Sequence, residues 1–242
     1  MSFSVDDHRF MSRALLLAKK RWYSTDPNPR VGCVITRHGG LVAEGFHERA
    51  GEAHAEVMAL AAAGSEARDS VVYVTLEPCN HSGRTGPCSQ ALIDAGVREV
   101  IYGMADPHQQ ASGGISHLEA AGITVRGPLL EEQAKALNPG FIKRCQTGLP
   151  RVVVKLAMSL DGRTAMASGE SQWITGENAR QDVQRLRASS SAIVTGIGSV
   201  LADDPLMTVR PESLKSENPE KFPLRQPLRV VVDSGLRIPE SA

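Results

Sequence analysis

The chain has 242 residues, enough for one large domain or two ordinary ones, and its 41% apolar and 22% charged residues suit a protein with real cores. Lys+Arg and Asp+Glu balance at 27 each. That neutrality favours a small substrate over a nucleic-acid backbone, which usually calls for a basic excess. No apolar run approaches the length of a membrane span, and Met1–His8 lacks the basic start and apolar core of a signal peptide, so no membrane partner and a cytoplasmic location are expected.

In chain order, Phe10, Ala14, Leu17 and Ala18 recur at helical spacing and predict a helix over 6–22, capped by Asp6 or Asp7 and broken by Pro27 and Pro29. Residues 31–35 and 41–45 read as strands around His38-Gly39-Gly40, a hairpin. Residues 54–63 are strong helix formers ended by Gly64. A buried strand over 71–75 runs into Glu77-Pro78-Cys79, and Cys88 opens a helix stopped by Gly96. A strand at 100–102 follows, then helices over 114–121 and 129–138 flanking Ile123-Thr124-Val125. Alternating strands and helices imply an α/β layer fold. Thr147–Pro150 reads as a linker, so the expected domains are 1–147 and 148–242. In the second, strands are expected at 152–156, 192–194 and 228–232, a turn-rich loop at 159–165, a helix over 177–188 with Val183 and Leu186 inward, and a polar surface loop over 211–227.

All seven histidines fall in the first 117 residues, which predicts different chemistry in the two halves, with metal only in the first. The chemistry-bearing stretch runs from His54-Ala55-Glu56 to Pro78-Cys79 and Cys88. One imidazole and two thiols give zinc three protein ligands and leave the fourth tetrahedral position for water, the arrangement of a catalytic site. Zinc lowers the pKa of bound water to roughly 7. Deamination of an amidine-like carbon needs protons delivered to a ring nitrogen and to the departing amine, and Glu56 is placed to carry both. The spacing is the signature of zinc nucleobase deaminases. The other reading is a structural zinc site, with His81 or Cys33 as fourth ligand, or a chance cluster. Asn28, between two prolines, could present its amide to a pyrimidine edge or be a plain turn residue. His47 could reach substrate or sit exposed at a strand end. His81 and Arg84, in the loop between the cysteines, suit a phosphate or simply face solvent. Cys33 reads as core, and His8, His38 and His117 as surface.

With Pro27–Gly32, His54-Ala55-Glu56 and Thr75–Thr85, the first half resembles the deaminase part of the RibD family of bifunctional riboflavin-biosynthesis enzymes. The eight-residue gap between Cys79 and Cys88 favours it over cytidine and tRNA-adenosine deaminases, where Cys-x-x-Cys is more usual. Lys155–Gly162, Ser171–Thr175 and Leu201–Pro205 are similar to the same family's reductase part. The resemblance implies a cytidine-deaminase-like three-layer domain followed by a dihydrofolate-reductase-like domain. It implies deamination of 2,5-diamino-6-ribosylamino-4(3H)-pyrimidinone 5′-phosphate, then reduction of the ribosyl group to ribityl with NADPH. Carried over by motif, Zn2+ has His54, Cys79 and Cys88 as ligands and Glu56 is the proton shuttle. Asn28, His47, His81 and Arg84 bind the deaminase substrate. Ala157, Trp173, Ser199 and Asp203 touch NADPH, and Ser171, Arg187, Met207 and Arg210 the reductase substrate, the arginines suiting its phosphate. Trp173 and Met207 as plain core, and Asp203 as a helix-end or turn residue, are the bland alternatives. A homo-oligomer is also implied.

The chain departs from the family pattern at Gly86, where a proline is usual, and at His108 in Asp106-Pro107-His108-Gln109, where Asp-Pro-Asn-Pro is usual. Family members also continue into a glycine-rich nucleotide-binding segment, so 148–242 is expected to be the N-terminal portion of the reductase only, beside a competent deaminase and with little NADPH consumption. The competing functions are a nucleoside or tRNA deaminase with an unrelated C-terminal domain, and a non-catalytic zinc-stabilised binding module with a four-ligand site.

Overall fold

The computed structural model describes residues 2–81, 86–109, 111–214 and 224–241. The chain divides into two compact units, Met1–Arg151 and Val152–Ala242. No helix among the described residues is long and apolar enough to cross a membrane.

The first unit is a three-layer αβα sandwich. Its elements run α1 (Val5–Ala18), β1 (Gly32–Arg37), β2 (Gly40–Phe46), α2 (Ala55–Ala63), β3 (Val71–Val74), α3 (Cys88–Ala95), β4 (Glu99–Tyr102), α4 (Gly114–Ala120), β5 (Thr124–Arg126), α5 (Glu131–Leu137) and α6 (Pro139–Thr147). The sheet order is β2-β1-β3-β4-β5. The β1–β2 and β1–β3 pairs are antiparallel, and β3–β4 and β4–β5 are parallel. Successive strand residues point to opposite faces, and both faces are covered. Val34, Tyr73 and Ile101 pack with Phe10, Met11 and Ala14 of α1 and Leu137 of α5. Cys33, Ile35, Val72, Val74 and Val100 pack on the other face with Ala55 and Ala59 of α2, Leu92 of α3 and Leu118 of α4. Cys33 is thus core, as the sequence suggests.

The first helix starts earlier and stops sooner than its apolar spacing predicts. Ser4, and not Asp6 or Asp7, is the N-cap, and Asp7 closes the capping box by accepting from the Ser4 amide at 2.8 Å. The α-helix ends at Ala18 and tightens into a 3-10 turn over Lys19–Arg21. Asp7 also accepts from the Tyr73 hydroxyl at 2.8 Å and pairs with Arg126 at 3.5 Å, which ties α1 to β3 and β5. Burial alone would raise the Asp7 carboxyl, but the hydrogen bonds from Ser4 and Tyr73 and the charge of Arg126 outweigh it and hold it below its ordinary value.

Helix α2 consists mostly of alanines that let it approach the sheet closely. The limit is reached at Gly45 of β2, where a Cβ would stand 2.2 Å from the Ala55 carbonyl oxygen and 2.6 Å from the Ala59 nitrogen.

The second unit holds α7 (Glu177–Ala188), β6 (Ala192–Gly196), α8 (Ile197–Asp203) and β7 (Leu228–Val232), with β6 and β7 pairing in parallel. Its buried apolar residues include Ala188, Ile197, Val200, Met207 and Val209. Two expectations are corrected. The expected strand over 152–156 does not form: Val152 and Val154 are 74% and 76% exposed, and no described strand pairs with the segment, so its apolar run has neither a ladder nor a covered face. On α7 the buried positions are Gln184 and Ala188, one turn apart, and Leu186 turns outward. Helix α8 starts directly after β6, with Gly196 as its N-cap.

Replacing Asp7 by alanine leaves the Tyr73 hydroxyl and the Ser4 amide without an acceptor, and is expected to cost about 2 kcal/mol in urea unfolding at pH 7. The Asp7 carboxyl is depressed, so its stabilisation is present above about 3.8 and fades as pH falls through its lower folded value. The wild-type and variant curves should therefore converge in acid, and a gap that stays constant from pH 7 to pH 2 would refute this. Gly45→Ala should cost roughly 1–3 kcal/mol by overpacking and weaken metal affinity, because α2 carries His54 and Glu56. Urea unfolding and a zinc competition titration test both halves of that expectation.

Candidate active site

Both helices that bear the motif start at one place. His54 is the N-cap of α2, and Cys88 is the first residue of α3. Cys79 lies on the segment that leaves β3 past Pro78. His54 Nδ1 stands 3.2 Å from Cys88 Sγ and 3.5 Å from Cys79 Sγ. The three donor atoms all lie within 4.8 Å of one another, and no other His, Cys, Asp or Glu of the described residues joins that group. A fourth protein ligand from Cys33 or His81 is therefore not seen: Cys33 is enclosed in the sheet core, and His81 lines the cavity with its side chain exposed. Cys79 is held down at about 4, first by the hydrogen bond with the Cys88 thiol and then, against burial, by His54 and the Cys88 amide. Cys88, on the donating side of that contact, is raised. The His54 imidazole is raised by its hydrogen bond with Cys79, against burial.

Glu56 occupies the first turn of α2 and is buried. Burial pushes its carboxyl up to about 7, and the neighbouring Cys79 adds to the rise. A carboxyl that changes state near neutral pH is suited to moving protons.

A cavity of about 430 Å³ opens on this group. Asn28, His47 and His81 line it, as does His54. Arg84 lies outside the described residues. His47 is not the exposed residue of the second sequence alternative: it is buried, lines the cavity, and has both ring nitrogens engaged. Its Nδ1 lies 3.0 Å from the Ala53 carbonyl oxygen, which can only accept, so Nδ1 carries the proton and Nε2 accepts from Asn28 Nδ2 at 3.1 Å. Burial, first among the causes, lowers the His47 imidazole and keeps it neutral. His47 thus orients Asn28, whose Oδ1 is left for a ligand.

Phe141 and Arg144, which motif reasoning passed over, add to the walls, as do Glu77, Asp106 and His108, to which it gave no site role. Glu77 is buried and accepts from three backbone amides, Asp106 and Gly113 at 3.0 Å and Ile115 at 3.3 Å. The Asn80 amide adds a bond to the Ala111 carbonyl at 2.9 Å. The turn after β4 is thereby fastened to the segment that carries Cys79. The available signal was an acid between a strand end and the Pro-Cys pair, where a polar side chain must find partners once buried.

In the second unit, Arg187 donates to the Thr208 carbonyl at 3.0 Å, and the Arg210 amide donates to Gln184 at 3.0 Å. These contacts gather both arginines along α7, and the Arg187 guanidinium is lowered by burial and then by Arg210. Met207, adjacent in chain, is buried as the core alternative had it. Trp173 is 70% exposed, not core, and stacks under Arg180 at 4.7 Å. Ser171, Ser199 and Asp203 are exposed, and Ala157 is half-buried in the unpaired segment after the linker.

Residues 4–104 match the family model of the cytidine and deoxycytidylate deaminase zinc-binding region, and residues 150–242 that of the RibD C-terminal domain. Over 97% of its length the chain is 53% identical to the riboflavin biosynthesis protein RibD of Escherichia coli (strain K12), and over 95% it is 46% identical to that of Mycobacterium tuberculosis (strain CDC 1551 / Oshkosh), covering 68% of the latter. The chain belongs to the RibD family. It spans 65% of the length of the E. coli relative. Among solved RibD structures, Acinetobacter baumannii RibD, form 1, superposes with a TM-score of 0.92 at 51% identity, covering 97% of this chain and 65% of that one. A Thermotoga maritima structure, named as a diaminohydroxyphosphoribosylaminopyrimidine deaminase/5-amino-6-(5-phosphoribosylamino)uracil reductase, has a TM-score of 0.84 at 38% identity over 94% of this chain and 63% of that one. The architecture is that of the RibD family: a cytidine-deaminase-like domain followed by a RibD C-terminal, dihydrofolate-reductase-like one.

Replacing Glu77 by alanine would strand three amides that now bond to a charged acceptor, a loss of about 3 kcal/mol. Hydrogen exchange at Gly113 and Ile115 should accelerate, and unchanged protection there would remove Glu77 from this role.

Proposed function

We propose that the first unit is a zinc-dependent pyrimidine deaminase of riboflavin biosynthesis. It would convert 2,5-diamino-6-ribosylamino-4(3H)-pyrimidinone 5′-phosphate and water to 5-amino-6-(5-phosphoribosylamino)uracil and ammonia. The observation that carries this is the convergence of the His54, Cys79 and Cys88 donor atoms within 4.8 Å of one another, beside a cavity that His54, Cys79 and the buried Glu56 line.

The donor set fits zinc: one imidazole nitrogen and two sulfurs, one of them favoured as thiolate, with no fourth protein ligand among the described residues. Zinc held by these three would supply the Lewis acidity that makes water nucleophilic at neutral pH. Glu56 would take one proton from the attacking water and pass it to the ring nitrogen, then take the proton of the hydroxyl added to the ring carbon and pass it to the amine, which leaves as ammonia. Its carboxyl near 7, set by burial, lets it serve as base and as acid in turn. Asn28, oriented by His47, would accept from a donor on the pyrimidine edge through Oδ1. His81 and Arg84 would contact the same substrate. Such a small phosphorylated substrate accords with the neutral charge, and the four free cysteines accord with a reducing cytoplasm.

The second unit would belong to the NADPH-dependent reduction that follows. Ala157, Trp173, Ser199 and Asp203 would hold NADPH, which supplies hydride. Ser171, Met207, Arg187 and Arg210 would hold the ribosyl phosphate, and two guanidiniums on one face suit that dianion.

Purified protein should contain one zinc per chain and release ammonia from the diaminopyrimidine phosphate. Glu56→Gln should retain the zinc and lower kcat by about 10²–10⁴-fold. Ammonia release at the wild-type rate by the zinc-loaded variant would overturn the assignment of Glu56.

A further inference from the structure

Arg144 lines the cavity that His54, Glu56 and Cys79 also line. It projects from α6 at the exposed rim, with its guanidinium 5.9 Å from the ring of Phe141, three residues earlier on the same helix. It also touches the Cys145 thiol. No salt bridge to a described residue occupies it, although Glu77 and Asp106 line the same cavity. Both Glu77 oxygens are taken by backbone amides. An arginine at a cavity mouth without a carboxylate partner is available to an anionic ligand.

Helix α6 is held rigidly against the pocket. Asn138, its N-cap, is 4% exposed. Its Oδ1 accepts from the Arg30 amide at 2.8 Å, and its Nδ2 donates to the Arg30 carbonyl at 2.9 Å. The Arg30 guanidinium donates to the Leu137 carbonyl at 2.9 Å and to the Trp22 carbonyl at 2.8 Å. Arg30 lies two residues beyond Asn28, so one clasp sets both the pyrimidine-edge amide and the helix that presents Arg144. His108 lines the same cavity, and its Nδ1 is buried without a hydrogen-bond partner.

We propose that Arg144 is a specificity-determining residue of the deaminase site. Its guanidinium binds the 5′-phosphate of the substrate at the mouth of the cavity, and so selects the phosphorylated pyrimidine over its unphosphorylated form. His108 supplies the neighbouring polar contact. This rests on the deaminase reading above and extends it to residues outside the zinc motif.

The test compares wild type, Arg144→Met and Arg144→Lys, all zinc-loaded full chains, on the diaminopyrimidine phosphate and on its dephosphorylated form. Arg144→Met should raise KM for the phosphate about 10–100-fold with kcat changed less than about threefold, and Arg144→Lys should recover part of the loss. KM for the dephosphorylated compound should be the same in wild type and Arg144→Met. Equal losses on both compounds, or no loss on either, would overturn the proposal. Phenylglyoxal labelling of Arg144, read by mass spectrometry, gives a measurement that needs no turnover. The phosphorylated compound should protect Arg144 and the dephosphorylated one should not. Protection without ammonia release from the wild type would sink the deaminase reading while sustaining the phosphate contact, and ammonia release without protection would do the reverse.

Discussion

Two sulfurs and an imidazole nitrogen from three separate chain segments meet within 4.8 Å of one another, a donor set that fits a metal. The fold brings them together by starting two helices, α2 and α3, at the point where the chain leaves β3. A helix start presents backbone N–H groups and the positive end of the dipole, which favours thiolate over thiol. The Cys88 amide, 3.4 Å from Cys79 Sγ, is one such group. The packing of the first unit serves this convergence. The alanine face of α2 can approach β2 only because Gly45 has no side chain, and that approach sets the depth of His54 and Glu56.

The rest of the cavity is held by polar side chains that spend their hydrogen bonds on the backbone. His47 is fastened to Ala53 and orients Asn28, Glu77 collects three amides, and Asn138 mirrors the backbone of Arg30. Each is buried, and each would be costly if left unpaired. Their effect is to fix loops that have no regular hydrogen bonding of their own. A loop so fixed can present Asn28, His108 or a neighbouring helix to a ligand without paying the full entropy of ordering when it binds.

The two units differ in how far their apolar surface is covered. In the first, both sheet faces are packed, and Met11, Ile35, Leu92, Ile101 and Leu118 are fully enclosed. In the second, Val194, Leu228 and Val232 on the β6–β7 pair are each more than 60% exposed, as are Val152 and Val154. The apolar runs at 152–156 and 192–194 look equally strand-like in sequence, yet the second finds a partner in β7 and the first finds none among the described residues. Strand formation is a property of the pair, because every ladder hydrogen bond is made to a neighbouring strand.

By itself the sequence determined the family and singled out the residues proposed as metal ligands and proton carrier, because those depend on residue type at short spacing: His54 two residues before Glu56, and Cys79 and Cys88 at the ends of one loop. It also determined the elements whose apolar periodicity is strong, from the β1–β2 hairpin to α7. Only the tertiary structure decided what His47 and Glu77 do, that Leu186 faces outward, and that α6 brings Phe141 and Arg144 to a cavity whose other walls lie far earlier in the chain. No periodicity encodes these, since each depends on which distant group stands opposite once both sheet faces are covered. A buried histidine and an exposed one look the same in sequence until the Ala53 carbonyl and the Asn28 amide are placed on either side of the ring.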